Sequence, residues 1–360
     1  MTERRALPTR EEVRRIGCLM LNGIGDILCV TPMLEALKER YPEAQLTMMI
    51  RPHLRALVEG NPFVDKLIFY DTARSLKRLV FLWEVRRQKF DLWIDLHVPT
   101  FNTVFRDERD LFRNAFLMRA SGATYQLAYA VPQLRRYLSH PVPLPQEHER
   151  TSTNIVDTTL ALIDPGPKRR YKKHMPISDS NRAWAKSVLA PRHGPRIGLF
   201  IGGRQSAKIW PQRRVMDFVA LLFEEIPDAE LVLLGDEHET ALAEAIVSSF
   251  SETTRSRVRN LVCKADLGQM AAALERCQAV VSTDSGPMHI ADAGEIPMVV
   301  LFSSHNWPAI WRPMNPNARV INHPVECGPC FQATCHLGNK CMDLIDPREA
   351  LDALLQVLKR

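Results

Sequence analysis

The chain of 360 residues is 46% hydrophobic and 24% charged, and its formal net charge is +6. This composition is typical of a soluble globular protein, and the length favours two domains. Residues 1–15 are charged and hold no apolar core, and no uncharged apolar run approaches the roughly 20 residues that span a bilayer. We therefore predict a cytoplasmic protein. The positive charge suits an anionic substrate, a membrane surface or nucleic acid without choosing among them.

Short apolar runs alternate with amphipathic stretches along both halves of the chain. Predicted helices cover 27–40, 75–89, 213–225, 284–293 and 347–359. Predicted strands cover 16–21, 46–50, 67–70 and 92–96 in the first half, and 196–201, 231–234, 279–282 and 297–302 in the second. Strands that alternate with helices indicate βαβ units and a parallel sheet.

The segment 164–170 separates the two halves. Its two prolines, one glycine and basic run are typical of a linker. We expect two doubly wound α/β domains, 1–165 and 177–360, joined by a linker at 166–176 and facing a central cleft. In such sheets a ligand lies beyond the carboxyl ends of the strands.

The first candidate site is the turn between the first strand and the first helix, which contains Gly23, Gly25 and Asp26. Glycines allow a tight turn and the close approach of a ligand. Asp26 would then lie at the cleft, near a helix N-terminus. On residue type alone a helix-capping aspartate is the favoured reading. The full GxGxxG pattern of a dinucleotide site is absent.

The second candidate is the loop after the strand at 196–201. The pair Gly202-Gly203 precedes a helix, with Arg204 and Lys208 beside it. Backbone N–H groups and a cation that face the same anion suit a diphosphate. The loop is not a P-loop, because the Gly-Lys-Ser/Thr ending is missing. A solvated loop with incidental charge is the competing interpretation, which composition slightly favours.

The third candidate is the run 282–289, which ends a strand and begins a helix. Asp284 or Ser285 can cap that helix, and His289 lies near its first turn. The N–H groups expected to face a phosphate are those of Ser285, Gly286 and Met288. A capped helix with a partly buried histidine is an equal alternative.

Two further runs contain acidic or thiol side chains. Asp236 and Glu237 follow a strand, where an acidic residue commonly binds ribose hydroxyls, although either could be a cap. Four thiols within fifteen residues suit zinc or an iron–sulfur cluster, although the usual two-pair zinc spacing is absent. A structural metal is therefore the less favoured interpretation of these residues: Cys327, Cys330, Cys335 and Cys341. Eight cysteines without a signal peptide indicate reduced thiols or metal ligands.

Basic residues gather on the predicted helix 75–89 and after it. The cluster comprises Arg74, Lys77, Arg78, Arg86, Arg87 and Lys89, followed by Arg106, Arg109, Arg113 and Arg119. A solvated face is the commoner origin of such a cluster. Docking of an anionic acceptor or a membrane surface is the functional hypothesis. Interleaved aromatic residues of a nucleic-acid platform are not evident, so we expect no nucleic-acid partner.

Taken together, these runs resemble the heptosyltransferase family, glycosyltransferase family 9, over nearly the whole chain. The anchors are Gly25-Asp26 with Thr31-Pro32, Lys208-x-Trp210-Pro211, Gly235-Asp236-Glu237, and the run from Asp284 to His289. The resemblance implies a GT-B fold with a nucleotide-sugar donor bound mostly by the C-terminal domain. It further implies inverting, metal-independent and cofactor-independent transfer of heptose from ADP-heptose to a lipopolysaccharide inner-core acceptor, an anionic glycolipid.

The resemblance also implies residue roles. Asp26 would be the general base, Lys208 would neutralise the leaving diphosphate, and Glu237 would bind the ribose. The remaining donor-binding residues would be Gly25, Gly203, Arg204, Asp284, Ser285, Gly286 and His289. The glycine pair at 202–203 departs from the family, whose best-known members have small hydroxyl residues there. Two alternatives stay open: a family member that uses another nucleotide sugar for capsule or other glycan assembly, and a nucleotide-binding module without transferase activity.

Overall fold

The computed structural model describes residues 5–71, 75–98, 108–164, 170–191, 193–200, 202–203 and 205–359. The chain forms two compact units, Met1–Pro176 and Ile177–Arg360. Residues 165–169, where the predicted linker begins, lie outside the described residues. Its remainder packs on the first unit, because the Tyr171 hydroxyl donates to Glu39 over 2.8 Å and the His174 N–H donates to Thr31 Oγ1 over 2.8 Å.

The first unit is a doubly wound parallel sheet with the strand order β3-β2-β1-β4-β5-β6. Its elements are β1 (Arg15–Leu19), α1 (Ile24–Arg40), β2 (Gln45–Ile50), β3 (Lys66–Phe69), α2 (Ser75–Gln88), β4 (Leu92–Asp95), α3 (Glu108–Ser121), β5 (Tyr125–Tyr129), α4 (Pro132–Arg135), β6 (His140–Val142), α5 (Glu147–Ser152) and α6 (Ile155–Leu160). A short 3₁₀ helix covers Pro52–Leu57. The central strand β1 pairs in parallel with β2 and β4, and Leu19 lies opposite both Met49 and Asp95.

The second unit repeats this architecture with the order β12-β11-β10-β7-β8-β9. Its elements are α7 (Asp179–Val188), β7 (Arg196–Phe200), α8 (Gln212–Glu225), β8 (Glu230–Leu233), α9 (Thr240–Ser249), α10 (Glu252–Arg255), β9 (Val258–Asn260), α11 (Leu267–Leu274), β10 (Ala279–Thr283), α12 (Gly286–Ala293), β11 (Met298–Phe302), α13 (Pro308–Trp311), β12 (Ala318–Asn322), α14 (Lys340–Asp343) and α15 (Pro347–Leu358). Short 3₁₀ helices cover Ser206–Lys208 and Glu237–Glu239.

The predicted fold class, two Rossmann-like α/β units, is confirmed. Of the apolar runs that predicted strands, all but 67–70 form inner strands of a sheet, because helices cover both faces of a doubly wound sheet and bury such runs. The run 67–70 forms the edge strand β3, which is only partly buried. Several boundaries differ from the prediction: the helix predicted from 27 begins at Ile24, and the helix predicted from Asp284 begins at Gly286. Asp284 instead continues the sheet, since its N–H donates to the Leu301 carbonyl over 3.3 Å.

The first helix carries a proline in its interior, and the neighbouring residue compensates for it. Pro32 has no N–H, so it cannot donate to the carbonyl of Leu28 four residues earlier. The Thr31 hydroxyl donates to that carbonyl over 2.7 Å instead. Both side chains are buried, and the helix runs on to Arg40. The Thr31 hydroxyl therefore supplies the hydrogen bond to the Leu28 carbonyl that Pro32 cannot make.

Candidate functional site

Three loops of the second unit follow neighbouring strands at one edge of its sheet. The strands β10, β7 and β8 lie side by side, and all run parallel. The loops that leave their carboxyl ends begin at 202, 234 and 284 in the described residues. This edge is where a doubly wound sheet binds its ligand.

Glu239 joins the first two loops. Its carboxylate accepts the N–H of Gly203 over 2.9 Å and the N–H of Asp236 over 2.8 Å. The residue is only 8% exposed, and this burial raises the pKa of Glu239, against the effect of the two N–H donors. A Cβ on Gly202 would lie 1.7 Å from Glu239 Oε1, so a larger residue there would displace the Glu239 side chain. Sequence analysis missed Glu239, because its neighbour Glu237 follows the strand more closely.

The glycine loop also contacts the third loop. Thr283 Oγ1 donates to the carbonyl of Gly202 over 3.0 Å. Gly203 has a φ of +149°, a conformation that side chains rarely adopt, and a Cβ there would lie 3.8 Å from the Ser285 Cβ. The two-glycine segment is thus held between Glu239 on one side and Ser285 on the other.

The third loop leads into the N-terminus of α12. Ser285 is its N-cap residue, and no side-chain cap hydrogen bond is formed. The N–H of Met288 donates to the Ser285 carbonyl over 3.1 Å, so the prediction that it faces a phosphate is wrong. The N–H groups of Ser285 and Gly286 precede the first intrahelical bond and carry the positive end of the helix dipole. These two donors can bind an anion at this point.

An ion pair lies beside this helix N-terminus. Lys208 Nζ lies 2.9 Å from Asp284 Oδ2, and Asp284 is 3% exposed. The loop that carries Lys208 is anchored by the buried Trp210, whose indole N–H donates to the Ile345 carbonyl over 3.3 Å. The Asn339 side chain donates to two carbonyls of the same loop, those of Ser206 and Ile209. Asp284 therefore orients an ammonium group whose other N–H bonds can serve an anion.

The other predicted donor-binding residues occupy different settings. His289 is 3% exposed on the inner side of α12, with its ring centroid 6.1 Å from that of Trp311. Glu237 is exposed in the 3₁₀ turn after β8. Arg204 lies outside the described residues. The second unit thus brings Gly203, Ser285, Gly286 and the Lys208–Asp284 pair to one sheet edge.

In the first unit, Asp26 lies in the first turn of α1, directly after β1. Its carboxylate accepts the N–H of the N-cap residue Gly23 over 3.2 Å, so Asp26 takes part in capping the helix from its third position. Burial raises the pKa of Asp26, while the Gly23 N–H and the nearby His97 act in the opposite direction. Gly25 lies in the same turn and is half-buried. A carboxylate in this state is a stronger base than an exposed aspartate.

A polar network at the end of the neighbouring strand β4 supports this turn. His97 Nδ1 contacts Asp95, which is buried, and Asn114 donates to the other oxygen of Asp95 over 3.1 Å. The N–H of Leu21 donates to His97 Nε2 over 3.2 Å. Asp95 was visible in the sequence as a carboxylate at a strand end, whereas Asn114 lies in a helix that sequence analysis did not predict.

The cysteine cluster lies in the segment between β12 and α14 and in α14 itself. Within the described residues, which include all eight cysteines, no group of three or more His, Cys, Asp or Glu side chains is placed to hold a metal ion, and no disulfide forms. Cys335 Sγ accepts the N–H of Leu337 over 3.4 Å and that of Asn339 over 3.3 Å. These bonds shape the loop that presents Asn339 to the Lys208 segment.

The fold and this loop arrangement define a protein with two Rossmann-like units, the second of which brings a glycine pair, a helix N-terminus and a lysine to one edge of its sheet. The model of glycosyltransferase family 9 (heptosyltransferase) matches residues 84–341, and the chain belongs to this family. The resemblance stated from the sequence is therefore confirmed, and the chain is a heptosyltransferase-like glycosyltransferase.

Relatives of known name agree with this assignment. The lipopolysaccharide heptosyltransferase 2 of Escherichia coli K12 is 30% identical over 354 residues, which cover 92% of this chain and 96% of that protein. Among solved structures, the glycosyl transferase family 9 protein of Veillonella parvula has a TM-score of 0.79 at 23% identity and covers 96% of this chain and 97% of its own. The Escherichia coli ADP-heptose heptosyltransferase II has a TM-score of 0.77 at 20% identity, with 96% and 98% covered. These two likenesses concern the fold.

Proposed function

We propose that this glycosyltransferase moves a heptose from ADP-heptose to an inner-core acceptor of lipopolysaccharide, with inversion and without a metal ion. The proposal draws on the family, on the lipopolysaccharide heptosyltransferase that is 30% identical, and on the relative of the same fold whose name gives ADP-heptose as its donor. In this account the first unit binds the acceptor and the second binds most of the donor, and the protein acts at the inner face of the cytoplasmic membrane.

The observation that carries the proposal is the anion site of the second unit. The glycine segment 202–203 lies against Ser285 at the N-terminus of α12, and Asp284 holds Lys208 beside it. We assign the diphosphate of the donor to the N–H groups of Ser285 and Gly286, with Lys208 as the cation that neutralises the leaving ADP. Fixed positive charge at a developing diphosphate stabilises the transition state. A lysine in this position supplies charge that other transferases take from a metal ion.

Further donor contacts follow from position. We assign Glu237, exposed at the end of β8, to the ribose hydroxyls. His289 supports α12 from its inner side and assists the phosphate contacts. Gly25, Gly203 and Arg204 complete the donor-binding set, the two glycines through close approach of backbone to ligand.

Asp26 is the base in this account. Its carboxylate takes the proton of the acceptor hydroxyl as the oxygen forms a bond to the anomeric carbon, while the bond from that carbon to the diphosphate breaks. Attack on the face opposite the leaving group gives inversion. The raised pKa of Asp26 strengthens the base, yet the group still needs to be ionised at the working pH. A base of this kind is worth roughly 10²–10⁴ in rate.

Donor choice gives a direct test of the proposal. Thermal shift of the purified chain is measured with ADP-, UDP- and GDP-sugars, and transfer is measured with and without a chelator. We expect stabilisation by ADP-sugars and transfer that survives the chelator. A shift with UDP-sugars and none with ADP-sugars would overturn the heptose assignment, and loss of transfer on chelation would overturn metal independence.

A further inference from the structure

Two neighbouring helices of the first unit share one side of its sheet. The helix α2 connects β3 to β4, α3 connects β4 to β5, and the two helices pack against each other. Their inner sides join one buried cluster, to which α2 contributes Phe81 and Val85 and α3 contributes Ala115 and Met118. Their outer sides therefore face away from the same sheet surface and form one continuous exterior.

This exterior is unusually apolar. Eight large hydrophobic side chains are exposed in the described part of the chain, and five of them lie on these two helices. They are Leu79 (63% exposed), Val80 (59%), Trp83 (62%), Phe112 (52%) and Phe116 (59%), which we call the apolar patch. Phe112 and Phe116 are four residues apart, as are Leu79 and Trp83, so each pair shares a helix face. Clustered exposure of this kind marks an interaction surface.

Basic side chains surround the apolar patch. The exposed ones are Lys77, Arg78, Arg86 and Arg87 on α2 and Arg109 and Arg119 on α3, which we call the basic rim. The Arg87 guanidinium lies 5.1 Å from the ring centroid of Trp83, so charge and apolar surface are in contact. On α3 the spacing of Arg109, Phe112, Phe116 and Arg119 places a basic residue at each end of an aromatic pair.

Acidic side chains on the same surface are fewer and are paired. Asp110 contacts Arg113, Glu84 lies 3.9 Å from Lys66, and Asp71 forms an ion pair with Lys77 of the basic rim. Among the helix side chains that the structure describes, positive charge therefore dominates the rim. A partner of this surface must provide an apolar region for the aromatic side chains and negative charge beside that region for the basic rim.

An anionic lipid bilayer meets both requirements. Tryptophan and phenylalanine enter the boundary between headgroups and acyl chains, while arginine and lysine reach the phosphates from their long stems. We propose that the apolar patch and the basic rim form a membrane-docking surface for anionic phospholipid. This inference rests on the proposed function in one respect only: the docking surface would bring the enzyme to an acceptor that is carried by a lipid.

Vesicle binding tests the inference on the full chain. Sedimentation is compared between vesicles of phosphatidylcholine alone and vesicles that also contain phosphatidylglycerol, at low and high salt. We expect binding to the anionic vesicles that weakens with salt. Neutralising two rim charges in Arg78→Gln/Arg87→Gln should weaken binding about thirtyfold, from about 1 kcal/mol per basic residue at the membrane surface and 1.4 kcal/mol per tenfold.

Matched variants separate the contribution of the apolar patch from that of the basic rim. Trp83→Gln/Phe116→Gln removes apolar surface and should reduce binding even at low salt. Leu337→Gln alters an equally exposed side chain of the second unit (63%), and Lys186→Gln removes an exposed charge there, so both should bind as the unaltered chain does. Unchanged melting temperatures would show that the variants fold, since all these side chains are exposed.

Three results would overturn the proposal: no binding to anionic vesicles, equal binding by the patch variants, or a chain that self-associates in solution and becomes monomeric in Trp83→Gln/Phe116→Gln. The last result would make the surface an interface between copies. Transfer to a delipidated, water-soluble core oligosaccharide separates this proposal from the proposed function. We expect the patch variants to retain that transfer, whereas failure of transfer with intact vesicle binding would refute the proposed function alone.

Discussion

Lys208 and Asp284 form an ion pair at the carboxyl edge of the second sheet, with Nζ and Oδ2 2.9 Å apart. The lysine side chain is 18% exposed and the aspartate side chain 5%, so the ammonium is the member of the pair that faces outward. The pair connects the loop after β7 to the loop after β10, the two segments that also carry Gly203 and Ser285. It fixes a positive charge next to the helix N-terminus.

Lys208→Met should therefore lower kcat by roughly 10²–10³, the range seen when one donor to a developing anion is removed. The buried Asp284 also loses its partner, so stability should fall by about 1–3 kcal/mol. The double variant Lys208→Met/Asp284→Asn should regain the stability and leave the rate low. Steady-state kinetics and thermal unfolding measure the two effects. A double variant that recovers both would make the pair purely structural.

Glu239 supports two loops through hydrogen bonds, whereas Glu237 is assigned to the donor ribose, so their variants should behave differently. Glu239→Ala leaves the N–H groups of Gly203 and Asp236 without their acceptor, so we expect a loss of about 1–3 kcal/mol in unfolding free energy. Glu237→Ala changes an exposed side chain and should alter stability by less than about 0.5 kcal/mol while it raises the KM for the donor. If Glu237→Ala leaves the KM unchanged, the ribose assignment fails.

The pKa of Asp26 predicts opposite effects on rate and stability. Burial raises this pKa above the usual 3.8, so the fold favours the protonated form. The stability that the carboxyl contributes is present below its unfolded pKa and is lost as the pH rises through its folded pKa. Asp26→Asn should thus keep or raise the melting temperature at neutral pH, with no gain at pH values below the usual pKa. It should lower kcat by roughly 10²–10⁴. If Asp26→Asn has a lower melting temperature than the unaltered chain at neutral pH, the fold does not favour the protonated form of Asp26.

His97 should control the pH at which Asp26 ionises. His97 lowers the pKa of Asp26, against the effect of burial. In His97→Gln the acid limb of the pH profile of kcat/KM should therefore move to higher pH, with the plateau rate less affected. His140→Gln, at the far edge of the same sheet, is the matched control. An unshifted acid limb would mean that His97 only supports the turn.

The sequence predicted the fold through its central strands. Runs such as 279–282 and 297–302 are apolar throughout because both faces of the sheet are covered, and this signal is strong. The inner strand β5 and the edge strands β6, β9 and β12 were missed: β6 and β9 are only three residues long, and β12 has one fully buried residue, Ile321. A half-solvated strand of that length has no distinctive pattern in a single sequence.

The sequence indicated those candidate site residues that lie in a recognisable turn between a strand and a helix. Asp26, Gly203 and Ser285 each follow a predicted strand and precede a helix. Glu239 and His97 were missed because their importance comes from contacts with distant segments: Glu239 with Gly203, and His97 with the main chain at Leu21. Such contacts depend on the order of strands in the sheet, which spacing along the chain does not reveal.

The measurement that tests the account most directly is transfer itself. Purified chain is incubated with ADP-heptose and a heptose-deficient lipopolysaccharide acceptor, and the product is analysed by mass spectrometry and by NMR of the new anomeric centre, in parallel with Asp26→Asn. We expect an acceptor one heptose heavier, an inverted anomeric configuration, and a loss of roughly 10²–10⁴ in rate for the variant. Transfer at the full rate by Asp26→Asn, or a product of retained configuration, would contradict it.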